Sequence, residues 1–177
     1  MRIFSWLFLA TLSLVLLVQL TVLGAPLRGP EAPAGIISFE LAFATERADA
    51  IVHAWRNAGV LETARVSLGL DVVFLLVYPP FLALSVGLLR TVEQRHAASS
   101  FGDLGRPLMW LVLCCAPLDG LENYLLWQTL AQGPTPTRAL LAGTAATIKF
   151  LLVATAGLWC LIAVARFARR LSRRATR

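Results

Sequence analysis

The chain has 177 residues, of which 58% are hydrophobic and 15% charged, with a mean hydropathy of +0.72 and a formal net charge of +6. These proportions lie outside the range of an ordinary soluble domain and point to a single-domain membrane protein. The three cysteines, Cys114, Cys115 and Cys160, all fall inside apolar stretches, which excludes a disulfide framework and makes them packing residues.

Four stretches are long enough to cross a hydrocarbon core that needs about 20 residues of helix: Ile3 to Leu23, Val66 to Leu89, Pro107 to Leu130 and Ala139 to Ala165. They predict an all-α membrane bundle of four transmembrane helices with an extracytoplasmic amphipathic helix between the first and second. The first stretch has a short basic start, Met1-Arg2, and ends in small residues at Gly24-Ala25, as a cleaved signal peptide would. Its apolar run exceeds the roughly 7 to 15 residues of a signal core, however, and Pro26 sits badly after the obvious cut, so a membrane span is the preferred reading.

Between the first two spans lies a soluble stretch, 25–65. It begins loop-like, with Pro26, Gly29, Pro30, Pro33 and Gly35. Ile37, Phe39, Leu41 and Phe43 then alternate with Ser38, Glu40 and Ala42, the period of a short extended segment with one apolar face. A helix follows near 45–58, with Thr45 as its cap, Glu46 and Asp49 in the first turn, and Gly59 as its stop. Ala48, Ile51, Val52 and Trp55 fall on one face of it, which fits either an interfacial helix with Trp55 at headgroup level or a lid folded over the bundle.

In the second span Pro79-Pro80 predicts a break just before it, because each proline lacks an amide donor and crowds the carbonyl four residues earlier. The third span opens with Pro107, a favourable first-turn residue, and carries Pro117 two residues before Asp119. Gly133, Pro134 and Pro136 keep the next connection short, so the last two spans form an antiparallel hairpin, with Thr135 capping the final helix. In the basic tail, 166–177, Arg166, Arg169, Arg170, Arg173 and Arg174 suit anionic lipid headgroups, each basic residue near the surface contributing about 1 kcal/mol. No second basic patch or aromatic platform suggests nucleic acid. Placing both termini in the cytoplasm puts ten arginines inside and five outside, in agreement with the positive-inside rule. The preference for arginine over lysine, with abundant Ala and Leu, points to GC-rich coding and a bacterial inner membrane.

The only lysine, Lys149, lies in the middle of an apolar segment. Ionisable groups at membrane depth are costly, so each is a candidate functional residue whose partner must be sought. Asp119, Glu122 and Asn123 share one face of the third span, Ser67, Asp71, Tyr78 and Ser85 form a stripe along the second, and small alanines surround Lys149 on the fourth. Counted inward at about 1.5 Å per residue, Asp71 lies roughly 8 Å deep, Glu122 roughly 12 Å, Lys149 roughly 15 Å and Asp119 roughly 17 Å. The expected cluster is therefore Asp71, Tyr78, Asp119, Glu122, Asn123 and Lys149, either holding the helices in register or, with three carboxylates to one lysine, handling protons or cations.

Catalytic and cofactor chemistry finds little support. There is no HExxH, CxxC or GxSxG, and both histidines, His53 and His96, lie outside the spans. A Ser85–Lys149 dyad is separated in depth by about 14 Å. Oxygen ligation of a divalent metal by Asp71, Asp119 and Glu122 is the remaining metal reading, and no metal or cofactor is expected. The segments FELAFATERADAIVHAW, LDVVFLLVY, LDGLENYLL and TIKFLL, spanning Phe39 to Leu152, resemble a group of small bacterial four-helix integral membrane proteins. The resemblance implies a shared arrangement of polar positions and no particular activity. The expected function is a noncatalytic membrane protein whose polar cluster organises its helices, alone, as a homo-oligomer or with a membrane-protein partner; the alternative is a small transporter or proton- or cation-handling element.

Overall fold

The structure, a computed structural model, describes residues 2–96 and 100–175, without the side chains of His96 and 173–175. Every regular element among the described residues is helical: α1 (Arg2–Leu23), α2 (Ile36–Glu40), α3 (Thr45–Asn57), α4 (Leu61–Phe74), α5 (Tyr78–His96), α6 (Ser100–Leu113), α7 (Cys115–Gln132) and α8 (Pro136–Ala175), with a single 3₁₀ turn at Ala25–Leu27. Four units, Arg2–Leu23, Leu61–Arg95, Ser100–Gln132 and Pro136–Ser172, are long and apolar enough to cross a membrane.

Prolines divide the second and third units. Pro79 and Pro80 leave the carbonyls of Leu75 and Leu76 without their usual helical donors, so α4 ends at Phe74. The chain tightens through Leu76 N to Val73 O (3.3 Å) and Val77 N to Phe74 O (2.9 Å) before α5 begins. Pro117 acts similarly on the Leu113 carbonyl, where α6 gives way to α7. Pro107 departs from the expected first-turn position and lies inside α6. Packing overrides it: Phe101 stacks on Trp159 of α8 at 5.2 Å and 8°, while Gly105 lies so close under that indole that a β-carbon would stand 2.8 Å from it.

The last two units form the expected hairpin, and Thr135 Oγ1 accepts the Arg138 amide at 3.2 Å. Ala142, Ala145, Ala146 and Ala156 of α8 are buried, and α8 packs on α5, α6 and α7. Without large side chains at these positions the helices approach closely, which is the main source of association where lipid competes for apolar surface. α1 packs on α4 and α5, tied by Trp6 Nε1 donating to Ser85 Oγ at 2.8 Å.

The stretch after α1 differs from its expected form in two ways. The alternating residues Ile37 to Phe43 do not extend; Ile36–Glu40 is a short helix, opened by Gly35 in the left-handed region at φ 62°. A lone strand would leave its amides unpaired, whereas here Leu41 N reaches Ile37 O at 3.1 Å and Ser38 Oγ accepts Ala34 N at 2.9 Å. In α3 Thr45 makes no capping bond and lies inside the first turn, after Ala44. The far end closes as expected on Gly59 (φ 70°), with Gly59 N to Arg56 O and Val60 N to Trp55 O forming a Schellman motif.

The apolar face of α3 is covered by protein. Ala48, Ile51, Val52 and Trp55 are buried against Leu27, Phe39, Leu68, Leu126 and Leu130, and Trp55 Nε1 donates to Leu27 O at 2.8 Å. Trp55 is only 3% exposed, so the headgroup position expected for its ring is not the one it takes. Burying each large side chain contributes about 1.5–3 kcal/mol, and the indole keeps its hydrogen bond, so docking satisfies both halves of the residue. A second core, built on Val86, Leu108, Val112, Trp159 and Ala163, fills the opposite end of the bundle.

Candidate functional site

The polar cluster lies where α4, α5, α7 and α8 meet the α2 turn. On α7, Asp119, Glu122 and Asn123 share one face, and all are buried, at 1%, 0% and 4% exposure. Opposite them the alanine face of α8 admits Lys149, itself 6% exposed. Its Nζ stands 2.7 Å from Asp119 Oδ1 and 2.8 Å from Glu122 Oε2. Tyr78, at the start of α5, donates its hydroxyl to Asp119 Oδ2 at 3.0 Å. Asn123 donates to Asp71 Oδ2 on α4 at 2.6 Å.

All six expected residues are thus in one region, but as two linked groups. Asp119 and Glu122 hold the ammonium, whereas Asp71 is engaged by Asn123. Ser85 stands apart, donating to Phe81 O and accepting from Trp6, so no Ser85–Lys149 dyad forms. No group of three His, Cys, Asp or Glu side chains among the described residues is placed to hold a metal ion. Lys149 already occupies the centre between the carboxyl groups.

Sequence reading missed Glu40. The α2 helix turns its carboxyl inward, and Oε2 lies 3.8 Å from Lys149 Nζ. Burial pushes the Glu40 carboxyl above its ordinary value of 4.5, against the downward pull of the Lys149 ammonium. Its position depends on the loop that follows. Phe43, in the left-handed region at φ 56°, lays its ring on Gly143 of α8, where a β-carbon would come within 2.7 Å. An alternating pattern with Glu40 on its polar side assigns that residue to solvent; the sequence signal available was an acid flanked by Phe39 and Leu41 close to a chain that needed a partner for Lys149.

A cavity of about 370 Å³ opens beside the cluster. Glu40, Asp71, Tyr78, Asp119 and Lys149 form its polar floor, and side chains of α1, α2, α4 and α8 form apolar walls. The site therefore combines four carboxyl groups and one ammonium with room for a small occupant.

A second buried ion cluster lies at the opposite end of the bundle. Glu93 of α5 is 1% exposed and receives Arg166 Nε at 3.2 Å and Arg170 Nη2 at 3.0 Å from α8. Arg166 also lies over the Phe101 ring at 4.8 Å. Two of the tail arginines expected at lipid headgroups are therefore engaged with Glu93, while Arg169 is exposed. The side chains of Arg173 and Arg174 lie outside the described residues. The spacing of Arg166 and Arg170, one helical turn apart, was the available clue to a shared acid. Comparison with family models, curated proteins and solved structures gives no match.

Proposed function

We propose that this is a noncatalytic integral membrane protein of a bacterial inner membrane, with both termini in the cytoplasm, in which the Lys149 cluster fixes the helical arrangement that partners recognise. The observation that carries this reading is connectivity. Through Lys149, Asp119, Glu122 and Glu40, together with the Tyr78 and Asn123 bonds, one polar network joins α2, α4, α5, α7 and α8. In a bilayer, where helices gain little by hiding apolar surface from one another, such a network specifies register. The α2–α3 segment then lies on the outer side and the basic end of α8 on the inner side, where Arg169, with Arg173 and Arg174, meets anionic headgroups. Membership of the small bacterial four-helix group is part of the same reading, and the partner is a second copy or another membrane protein.

One observation favours the proton- or cation-handling alternative: the excess of buried carboxyl groups over ammonium borders a cavity. Reconstitution into vesicles loaded with a pH-sensitive dye separates the two. The noncatalytic reading expects no proton or cation flux above empty vesicles under imposed pH and voltage gradients. Flux that Asp119→Asn abolishes would replace it with the alternative.

A further inference from the structure

The cavity has two chemically different ends. Its floor carries Glu40, Asp71, Asp119 and Lys149, and its walls include Leu17 and Leu20 of α1, Ile36 and Ile37 of α2, and Phe150 and Val153 of α8. Leu17 is 51% exposed and Ile37 43% exposed, so the apolar side is open towards the surroundings of the bundle. α1 packs on α4 and α5, and α8 packs on α5, α6 and α7, so the opening lies between two helices held apart by their separate packing. In a membrane that opening faces acyl chains.

The groups on the floor are not equally engaged by the protein. Asp119 has both Lys149 and Tyr78. Glu40 Oε2 is enclosed by the protein beside Glu122, and its ion pair with the ammonium is the longest of the cluster at 3.8 Å, beyond hydrogen-bond distance. Asp71, the other carboxylate on the floor, receives the Asn123 amide on Oδ2. Glu40 and Asp71 both line the cavity, so a donor entering it meets two carboxyl groups. Arg28 stands at the rim and offers a positive charge.

We propose that this cavity binds an amphiphile with a primary ammonium head, the ammonium donating to Glu40 and Asp71, a phosphate or other anion beside it meeting Arg28, and the first part of an apolar chain lying along Leu17, Leu20 and Ile37. An ammonium offers three donors on a compact head, which suits two carboxylates, whereas a quaternary head offers none. A volume of about 370 Å³ lies at the lower end of ordinary ligand pockets, enough for a head and part of a chain with the remainder in the bilayer. The same ammonium chemistry is available from an aminophospholipid or from a free long-chain amine. The Arg28 rim favours the phospholipid.

Binding to the full chain in maltoside micelles, followed by native mass spectrometry and titration calorimetry, tests this with four probes: phosphatidylethanolamine, phosphatidylcholine of the same chains, dodecylamine and ethanolamine. The expected result is saturable binding of one phosphatidylethanolamine per chain, with phosphatidylcholine weaker by about tenfold or more, since each lost charge-assisted bond is worth about that factor. Glu40→Gln and Asp71→Asn should each weaken phosphatidylethanolamine by about tenfold, while Asp103→Asn, far from the cavity, leaves it unchanged. Leu20→Trp, which fills the apolar wall, should remove binding without altering any charge. Dodecylamine binding with no preference for phosphatidylethanolamine over phosphatidylcholine would assign the ammonium site to a free amine. Equal binding of both phospholipids with no dodecylamine binding, or affinity untouched by all three cavity variants, would overturn the proposal.

Discussion

Replacing Lys149 with Met should destabilise the protein far more than any exposed substitution, and the size of the loss follows from what the ammonium leaves behind. Glu122 is left with only the Glu40 carboxyl beside it, whereas Asp119 keeps the Tyr78 hydroxyl. Breaking a buried pair from one side costs about 3–5 kcal/mol. Protonation limits the damage, because neutralising an ordinary carboxylate at pH 7 costs about 4 kcal/mol, at 1.36 kcal/mol for each unit of pKa. The expected loss is therefore about 3–5 kcal/mol, read as the shift in reversible unfolding of detergent-solubilised protein. Adding Glu122→Gln should recover more of it than adding Asp119→Asn, since Asp119 retains the Tyr78 hydroxyl as a donor and Glu122 is left facing another acid. A neutral Lys149→Met, with double variants no different from the carboxylate singles, would refute the ion-paired cluster altogether.

Four further outcomes follow from other contacts. Arg166→Ala or Arg170→Ala alone should cost under about 1.5 kcal/mol in the same unfolding assay, because each leaves Glu93 one guanidinium, whereas the double variant strands a buried carboxylate and costs about 3 kcal/mol or more. Gly143→Ala should destabilise the protein, since its β-carbon meets the Phe43 ring, while Gly157→Ala on the same helix, with open space around it, should be neutral or add up to about 1 kcal/mol. A raised Glu40 carboxyl favours the fold at low pH and loses that contribution as pH rises from 4.5 through its folded value; Glu40→Gln should flatten this decline in a stability-against-pH series, with Asp71, Asp119, Glu122 and Lys149 left in place around it. In a background lacking Cys114, Ser172→Cys should resist an impermeant thiol reagent added outside intact cells, and its labelling would reverse the proposed topology.

The spans were legible because apolar length needs no tertiary information, and the break at Pro79-Pro80 because a missing amide acts locally. The 3.6-residue spacing of Asp119, Glu122 and Asn123 likewise placed three polar groups on one face before any neighbour was known. The limits of the helices were less legible. Pro107 reads as a first-turn residue until Trp159 is seen over Gly105, a contact between residues far apart in sequence. The alternation from Ile37 to Phe43 matched a strand, but with no second strand to complete its hydrogen bonds, a helical turn was the available structure.

That substitution of turn for strand also explains why the site was incomplete in the sequence. In an extended segment Glu40 would lie on the face opposite Phe39 and Leu41; in α2 the chain curls, Phe39 enters the core against Trp55 at 5.3 Å, and Glu40 turns towards Lys149. Glu93 escaped notice for a related reason, since it lies past the apolar run of its span, where an acid ordinarily belongs to solvent, and only α8 continuing as a helix to Ala175 brings Arg166 and Arg170 over it. In both cases the acid is distant in sequence from the base, and its role depends on structure outside the membrane-length segments, a short turn for Glu40 and an extended α8 for Glu93. The two ion clusters thus tie α8 to the bundle at two levels, through Lys149 within the apolar segment and through Arg166 and Arg170 beyond it.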